Sequence, residues 1–305
     1  MPELPEVETI RRQLAPIVEG RRLKEIEVLD PRWSRPLAPI ELEDALRGRQ
    51  IESLGRRGKY LLWNFSGDVH LAQHLRMTGS VLAAPNPEPL HTRVRLELSG
   101  RRGPDGPLAK KLVIADPRRF GTGELLLGSH ALDAFLAARL GLEPFDEGFT
   151  SEHMHGLLRG RRAPIKALLL DQRRIAGVGN IYADEALFRA GVHPRHEAGK
   201  LSREQAAKLR ETVIEALSAG IDARGASIDD FRHVDGVKGS FQDRFLVHLR
   251  EGEPCTVCGT TIRKMVVAGR GTYVCEVCQR PPRLRRLSAP AARPGGQSPR
   301  RPGRR

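Results

Sequence analysis

The chain has 305 residues, of which 39 % are hydrophobic, and 51 Lys and Arg stand against 37 Asp and Glu for a formal net charge of +14. Such a length buries a substantial core and suggests two domains, while no apolar run reaches the roughly 18 residues of a membrane span. The N-terminus has no basic segment followed by an apolar one, so a cytosolic protein is expected, and the basic balance points to a polyanionic partner such as nucleic acid.

The chain opens Met1-Pro2-Glu3-Leu4-Pro5-Glu6. Pro in a first turn and acids at its N-terminal end suit an ordinary helix start. A second reading needs Met1 to be removed. The Pro2 nitrogen then becomes a secondary amine able to attack an electrophilic carbon and form an iminium, with Glu3 beside it and Glu6 one turn on as acid/base groups. These residues alone leave both readings open. Residues 5–19 read as an amphipathic helix, with Val7, Ile10, Leu14, Ile17 and Val18 at helical spacing and Gly20 suited to its C-terminal stop. Pro16 is expected to kink or tighten the last turn.

From Arg22 to about Leu127 the pattern changes to short alternating segments such as Val69/Leu71/Gln73/Leu75, with breaks at 84–89 and 100–107. This predicts an antiparallel sandwich or barrel. His74–Gly79 ends a strand and leaves Met77 at a loop tip, and Asp116–Gly121 sets Phe120 beside Arg118 and Arg119. Apolar wedges flanked by Arg are the parts needed to unstack and kink a duplex, although, read singly, Met77 and Phe120 fit a core better.

From Ser129 to about Ile221 the periodicity is helical. Gln172–Tyr182 contains Gly177-Val178-Gly179, which could let a backbone approach a ligand closely and present the next helix N-terminus to a phosphate; a plain helix–turn–helix corner has the same pattern. Asn180 could cap that helix or bond the phosphate. Ser202-x-x-Gln205 predicts a capping box for a helix carrying Leu209, Val213, Ile214 and Leu217 on one face. Residues 222–241 are rich in Gly, Asp and Ser and read as a long loop.

Cys255-x2-Cys258 and Cys275-x2-Cys278, sixteen residues apart, predict a tetrathiolate zinc site. Four thiolates leave no open position, so the metal is expected to be structural; two disulfides do not suit a reducing compartment. Residues 280–305 hold nine arginines and no acid. That tail is expected to be disordered and to add non-specific attraction to polyanions.

In combination these motifs resemble the formamidopyrimidine-DNA glycosylase (Fpg, MutM) family. The resemblance rests on Met1–Glu8, Gly58-Lys59-Tyr60-Leu61, His74–Gly79, Asp116–Gly121, Gly177–Glu185 and the four-cysteine finger with Gly269-Arg270-Gly271-Thr272. They run in family order from residue 1 to about 280, each modest alone and highly specific together.

The resemblance implies an α+β protein. Its parts would be an N-terminal β-sandwich domain with a catalytic helix (1–128), a helix–two-turn–helix domain (129–224), a lesion-capping loop (225–244), a zinc-finger hairpin (245–280) and the Arg-rich tail (281–305). It implies a monomeric enzyme on damaged double-stranded DNA, cytoplasmic and nucleoid-associated, with one structural Zn2+ and no organic cofactor. Its activity would be removal of oxidised purines followed by strand cleavage. Pro2 would be the nucleophile, Glu3 the general acid/base and Glu6 its support, with Lys59 tied to β-elimination and Arg270 to δ-elimination. Met77, Arg118 and Phe120 match residues that fill the vacated stack, with Arg118 facing the orphaned base. His74, His91, Arg162, Lys166 and Asn180 match DNA-contacting positions.

The chain departs from the family pattern at Asp229, where relatives often carry a basic residue, at Ser240, often aromatic, and at His248-Leu249, often Tyr-Gly. Lesion preference is therefore open. An endonuclease VIII-like enzyme for oxidised pyrimidines is disfavoured by Leu4 and the complete Met77/Arg118/Phe120 set. A non-enzymatic zinc-ribbon DNA binder would need neither Pro2 nor Glu3.

Overall fold

A computed structural model describes residues 2–104, 106–228 and 234–282. Helix α1 (Leu4–Val18) lies between two apolar cores. Its first residue, Leu4, belongs to the helical core, whereas Val7, Ile10, Leu14 and Val18 face the sheets. The Glu6 carboxylate accepts the Glu3 N–H at 2.8 Å, so one otherwise unpaired N-terminal donor is satisfied by a side chain. Pro16 does not break α1. The Glu19 N–H still reaches the Ala15 carbonyl at 3.0 Å, and Gly20 then turns the chain at φ +77°.

Next come β1 (Leu23–Val28), α2 (Pro39–Leu46), β2 (Ile51–Arg57), β3 (Tyr60–Phe65), β4 (Val69–His74), β5 (Ser80–Ala83) and β6 (Thr92–Leu98). A two-residue pair, β7 (Arg102–Gly103) with β8 (Gly106–Pro107), precedes β9 (Lys111–Ala115) and β10 (Thr122–Leu127). Two four-stranded antiparallel sheets result, ordered β1-β6-β9-β5 and β10-β4-β3-β2. Ile26, Leu96, Leu112 and Ile114 from one and Trp63, Phe65 and Leu71 from the other bury a common core, as the alternation predicts. Helix α2 is a correction, because it interrupts a region read only as strands. Pro39 stands in its first turn, Glu41 accepts the Ala38 N–H at 2.8 Å, and Leu42 and Leu46 are buried.

The helical part comprises α3 (Ser129–Ala137), α4 (Ser151–Leu158), α5 (Ile165–Leu170), α6 (Asn180–Arg189) and α7 (Arg203–Asp222). The expected capping box is present. Ser202 Oγ accepts the Gln205 N–H at 3.1 Å, and Gln205 Oε1 accepts the Ser202 N–H at 3.0 Å. Among the described residues between α7 and the finger, one 3-10 turn spans Phe241–Arg244. The finger is a hairpin, β11 (Arg263–Val267) and β12 (Arg270–Val274). Ala268 and Gly269 both have positive φ, the geometry of a two-residue turn matched to strand twist. Val247, Ile262 and Tyr273 pack the finger onto Phe188 of α6. Met1, Asp229 and residues 283–305, which include nearly all of the basic tail, lie outside the described residues.

Candidate active site and nucleic-acid cleft

The N-terminal carboxylates are held by groups far away in sequence. Glu3 is 1 % exposed and Pro2, directly before it, is buried. Glu3 Oε1 accepts the Ile181 N–H at 3.0 Å, at the N-terminus of α6, while Glu3 Oε2 is buried with no partner. The two glycines of the corner explain this approach. A Cβ on Gly179 would overlap the Glu3 carboxylate, and one on Gly177, where φ is +92°, would strike the Leu4 side chain. The glycines thus admit the N-terminal helix, and the α6 N-terminus expected to meet a phosphate meets Glu3 instead. Gln172 braces the corner, accepting from the Gly177 N–H at 2.9 Å and donating to the Val178 carbonyl at 2.7 Å.

Glu6 is equally enclosed. Beyond the Glu3 N–H, its carboxylate accepts the Tyr182 hydroxyl at 2.7 Å and the Ala226 N–H at 2.8 Å. Burial, then the neighbouring Glu3 charge, pushes the Glu6 carboxyl up from its ordinary range. Tyr182 stacks on Phe241 with centroids 5.1 Å apart, which fixes the hydroxyl.

Glu3, Lys59, His74, Met77, Asn180 and Arg270 line one cleft of about 530 Å³ between sandwich, helical part and finger. Lys59 occupies the two-residue turn from β2 to β3, and the Gly58 N–H beside it donates to Glu143. The Arg56 guanidinium clamps Glu143 at 2.6 and 2.9 Å, so the turn is rigid. The Lys59 ammonium is buried and makes no hydrogen bond or ion pair among the described residues. Burial lowers its pKa, and Glu3 and Glu6 oppose that shift. His74 Nδ1 accepts the Arg76 N–H at 2.9 Å, which leaves Nε2 to carry the ring proton. Burial, then the Arg76 and Lys59 charges, pulls the His74 pKa down to about 3, so the ring is a neutral donor. Arg270, at the start of β12, is exposed, and Asn180 Nδ2 donates to the Gly271 carbonyl at 3.0 Å.

Asp116 organises the wedge loops. Its carboxylate accepts the Thr78 hydroxyl, the Gly121 N–H at 2.7 Å and the Arg118 N–H at 3.2 Å, while its own N–H donates to the His91 carbonyl at 2.9 Å. Met77, Arg118, Phe120 and His91 are thereby brought to one end of the sandwich. Phe120 is 52 % exposed with the Arg118 guanidinium 5.1 Å from its ring centroid, and Met77 is half-buried, so neither apolar side chain is a core residue. Arg162 is exposed between α4 and α5 and does not line the cleft. Lys166 corrects the expectation of a DNA-contacting lysine. It is fully buried, and its Nζ donates to Asp184 at 2.6 Å, the Thr272 hydroxyl at 2.8 Å and the Gly271 carbonyl at 3.3 Å. It ties α5 and α6 to the finger beside Arg270.

Three family models match: the formamidopyrimidine-DNA glycosylase N-terminal domain over residues 1–123, its H2TH domain over 140–232, and the zinc finger found in FPG and IleRS over 252–281. The formamidopyrimidine-DNA glycosylase of Bacillus licheniformis is 41 % identical over 284 residues, covering 92 % of this chain and all of that one. The chain belongs to the formamidopyrimidine-DNA glycosylase family. The MutM (Fpg) crystal structure from Thermus thermophilus aligns with a TM-score of 0.80 and 42 % identity over 91 % of this chain and 98 % of that one. A Lactococcus lactis Fpg variant solved with Fapy-dG-containing DNA aligns at 0.83 and 36 % identity, over 92 % of this chain and all of that one.

The Fpg-type finger also fits its metal. The four cysteine Sγ atoms lie within 4.8 Å of one another, with Cys258–Cys275 at 3.4 Å and Cys255–Cys278 at 3.9 Å. A tetrahedron of zinc–sulfur bonds of about 2.3 Å places its sulfurs about 3.8 Å apart, whereas disulfide partners stand only about 2.05 Å apart. The donor set fits one structural zinc with a closed shell. The Fpg motifs did not reveal Asp116, Gln172, Tyr182, Asp184 or Glu143 as organisers of the site. The available signal was a set of polar residues within otherwise apolar helices, such as Asp184-Glu185 in α6, where all but the ends are buried.

Proposed function

We propose that this chain is a bifunctional DNA glycosylase/AP lyase that excises 8-oxoguanine and formamidopyrimidines from duplex DNA in base excision repair, acting as a cytoplasmic, nucleoid-associated monomer. The observation that carries this reading is Glu3. One carboxylate oxygen is fixed by the α6 N-terminus and the other is buried without a partner, directly beside residue 2 and lining a cleft with Lys59 and Arg270. A buried acceptor left open is costly, and such groups mark sites where a reacting proton is handled.

With Met1 removed, the Pro2 amine attacks C1′ of the damaged nucleoside. The C1′–N bond to the base breaks as the bond to Pro2 forms, and Glu3 exchanges the protons needed for base departure and sugar-ring opening. The iminium acidifies the adjacent sugar carbon. Lys59 supports β-elimination and Arg270 δ-elimination with phosphate binding, leaving a one-nucleotide gap with phosphate ends. The target nucleotide must leave the stack, at a few kcal/mol, and Met77 and Phe120 fill the space while Arg118 faces the orphaned base. His74, His91, Arg162 and Asn180 hold the backbone, which positions without reading sequence. The parts divide as 1–128, 129–224, 225–244, 245–280 and 281–305.

Single-turnover excision from 8-oxoguanine·C and thymine-glycol duplexes tests the substrate class. The contrast matters because a Lactococcus lactis Fpg is solved on DNA containing an oxidised pyrimidine. Faster 8-oxoguanine excision is expected, and a clear thymine-glycol preference would reverse the assignment.

A further inference from the structure

Residues 223–228 and 234–242 leave the helical part after α7 and return to it, and the two stretches are tied together. The Ser240 and Phe241 N–H groups donate to the Ala223 and Gly225 carbonyls at 3.1 and 3.0 Å. The Gly239 N–H donates to Ser227 Oγ at 2.8 Å, and Gln242 Oε1 accepts the Ser227 N–H at 3.0 Å. Ile228 packs against the helical core and lines the cleft with Glu3 and Ile181. Val234, close to it in sequence, belongs to the other core, where it is 3 % exposed among the apolar residues of the sandwich.

Two main-chain bonds hold Val234 there. Its carbonyl accepts the Ala83 N–H of β5, the outer strand of its sheet, at 3.0 Å, and its own N–H donates to Gln13 Oε1 of α1 at 3.1 Å. The same helix holds the start of the segment. Glu6 accepts the Ala226 N–H at 2.8 Å, and a Cβ on Gly225, where φ is +77°, would overlap the Glu6 side chain. Glu6 and Gln13 stand two turns apart on one face of α1, since an α-helix has about 3.6 residues per turn. The segment is therefore registered against α1 at two points, and α1 is the helix that begins beside Pro2 and Glu3. Of the two apolar side chains nearest this chemistry in the cleft, Ile181 is fixed by α6. Ile228 has Ser227 on one side and Val234 on the other as its described holds.

Resting on the DNA-repair reading above, we infer that Gln13 and Val234 are positioning residues for base recognition: they set the register of Ile228 along α1, so that an everted base stacks on Ile228 and Ile181 while its sugar meets Pro2. An abasic sugar has no base to stack, so its cleavage does not depend on this register.

The test uses the full-length, zinc-loaded protein in single turnover on an 8-oxoguanine·C duplex and on a duplex with a preformed abasic site. Gln13→Leu removes the acceptor and keeps the bulk, Val234→Ala loosens the apolar anchor, and Gln13→Glu keeps an acceptor. The first two should lose between about tenfold and a hundredfold in base excision, the scale of a misplacement approaching 1 Å, and at most about twofold in abasic cleavage. Gln13→Glu should recover excision. Hydrogen exchange of the wild type gives an answer independent of how the variants fold. The Ala83 and Val234 amides should exchange more slowly on a duplex carrying a 2′-fluoro-stabilised 8-oxoguanine or thymine-glycol nucleotide than on one carrying tetrahydrofuran. Equal losses in excision and abasic cleavage, undiminished excision in Gln13→Leu, or the same exchange on both kinds of duplex would overturn the inference. Wild-type excision is scored separately. None from either lesion would remove the repair reading, and the exchange contrast would still decide this one.

Discussion

Replacing Gly179 with Ala adds one methyl group at the point where Glu3 meets the start of α6. The new Cβ would overlap the Glu3 carboxylate, whereas φ at Gly179 is −129°, a value any residue adopts. The effect is therefore steric and local. Glu3 must either give up the Ile181 N–H or push α6 away. Loss of a charge-assisted hydrogen bond costs about 1.5–3 kcal/mol, and overpacking a buried site about 1–3 kcal/mol, so whichever response prevails about 1–3 kcal/mol of stability is at stake. Catalysis suffers separately, because a group displaced by about 1 Å loses on the order of 10²-fold. The assay is single-turnover excision of 8-oxoguanine, with thermal unfolding measured in parallel. Gly156→Ala is the control, since nothing lies within 4 Å of a Cβ there. A Gly179→Ala protein with wild-type melting and wild-type excision would refute the close approach of Glu3 to α6.

Two further outcomes are expected. His74 titrates at about 3, below its ordinary 6.5, so its stabilising effect is complete above pH 6.5 and declines as pH falls toward 3. Between pH 6.5 and 4.5 the wild type should lose up to about 3 kcal/mol that His74→Gln does not, at about 1.4 kcal/mol per unit; urea unfolding with parallel pH slopes for the two proteins would contradict this. Cys258→Ser should release the zinc, unfold the finger and abolish tight DNA binding while the sandwich still melts cooperatively, because metal binding here is folding free energy. Full DNA affinity in that variant would contradict the role given to the finger.

Local patterns were legible in the sequence, and long-range assembly was legible only in part. The apolar spacing of α1, the Ser202/Gln205 cap and the cysteine pairs each depend on neighbours a few residues apart, and all three appear as expected. Helix α2 was hidden because its signal, Pro39 with Glu41, sits inside a proline-rich stretch that resembles a loop. Gly177 and Gly179 were visible as a corner, but the group they admit lies more than 170 residues away in sequence. Lys166 was expected to contact DNA. Its apolar neighbours Ile165, Leu168 and Leu169 are the trace of its burial, and only the fold brings Asp184 and Thr272 to its ammonium. Asp116 is similar in part, since one of its partners, Thr78, comes from a loop 38 residues earlier in the chain.

The most direct measurement is borohydride reduction of the complex with 8-oxoguanine·C duplex, followed by peptide mass spectrometry of the trapped protein. The expected adduct lies on a peptide that begins at Pro2, with Met1 gone, and is lost in Pro2→Gly. Protein shown to lack Met1 that traps no DNA, or that traps it through Lys59, would contradict Pro2 as the nucleophile.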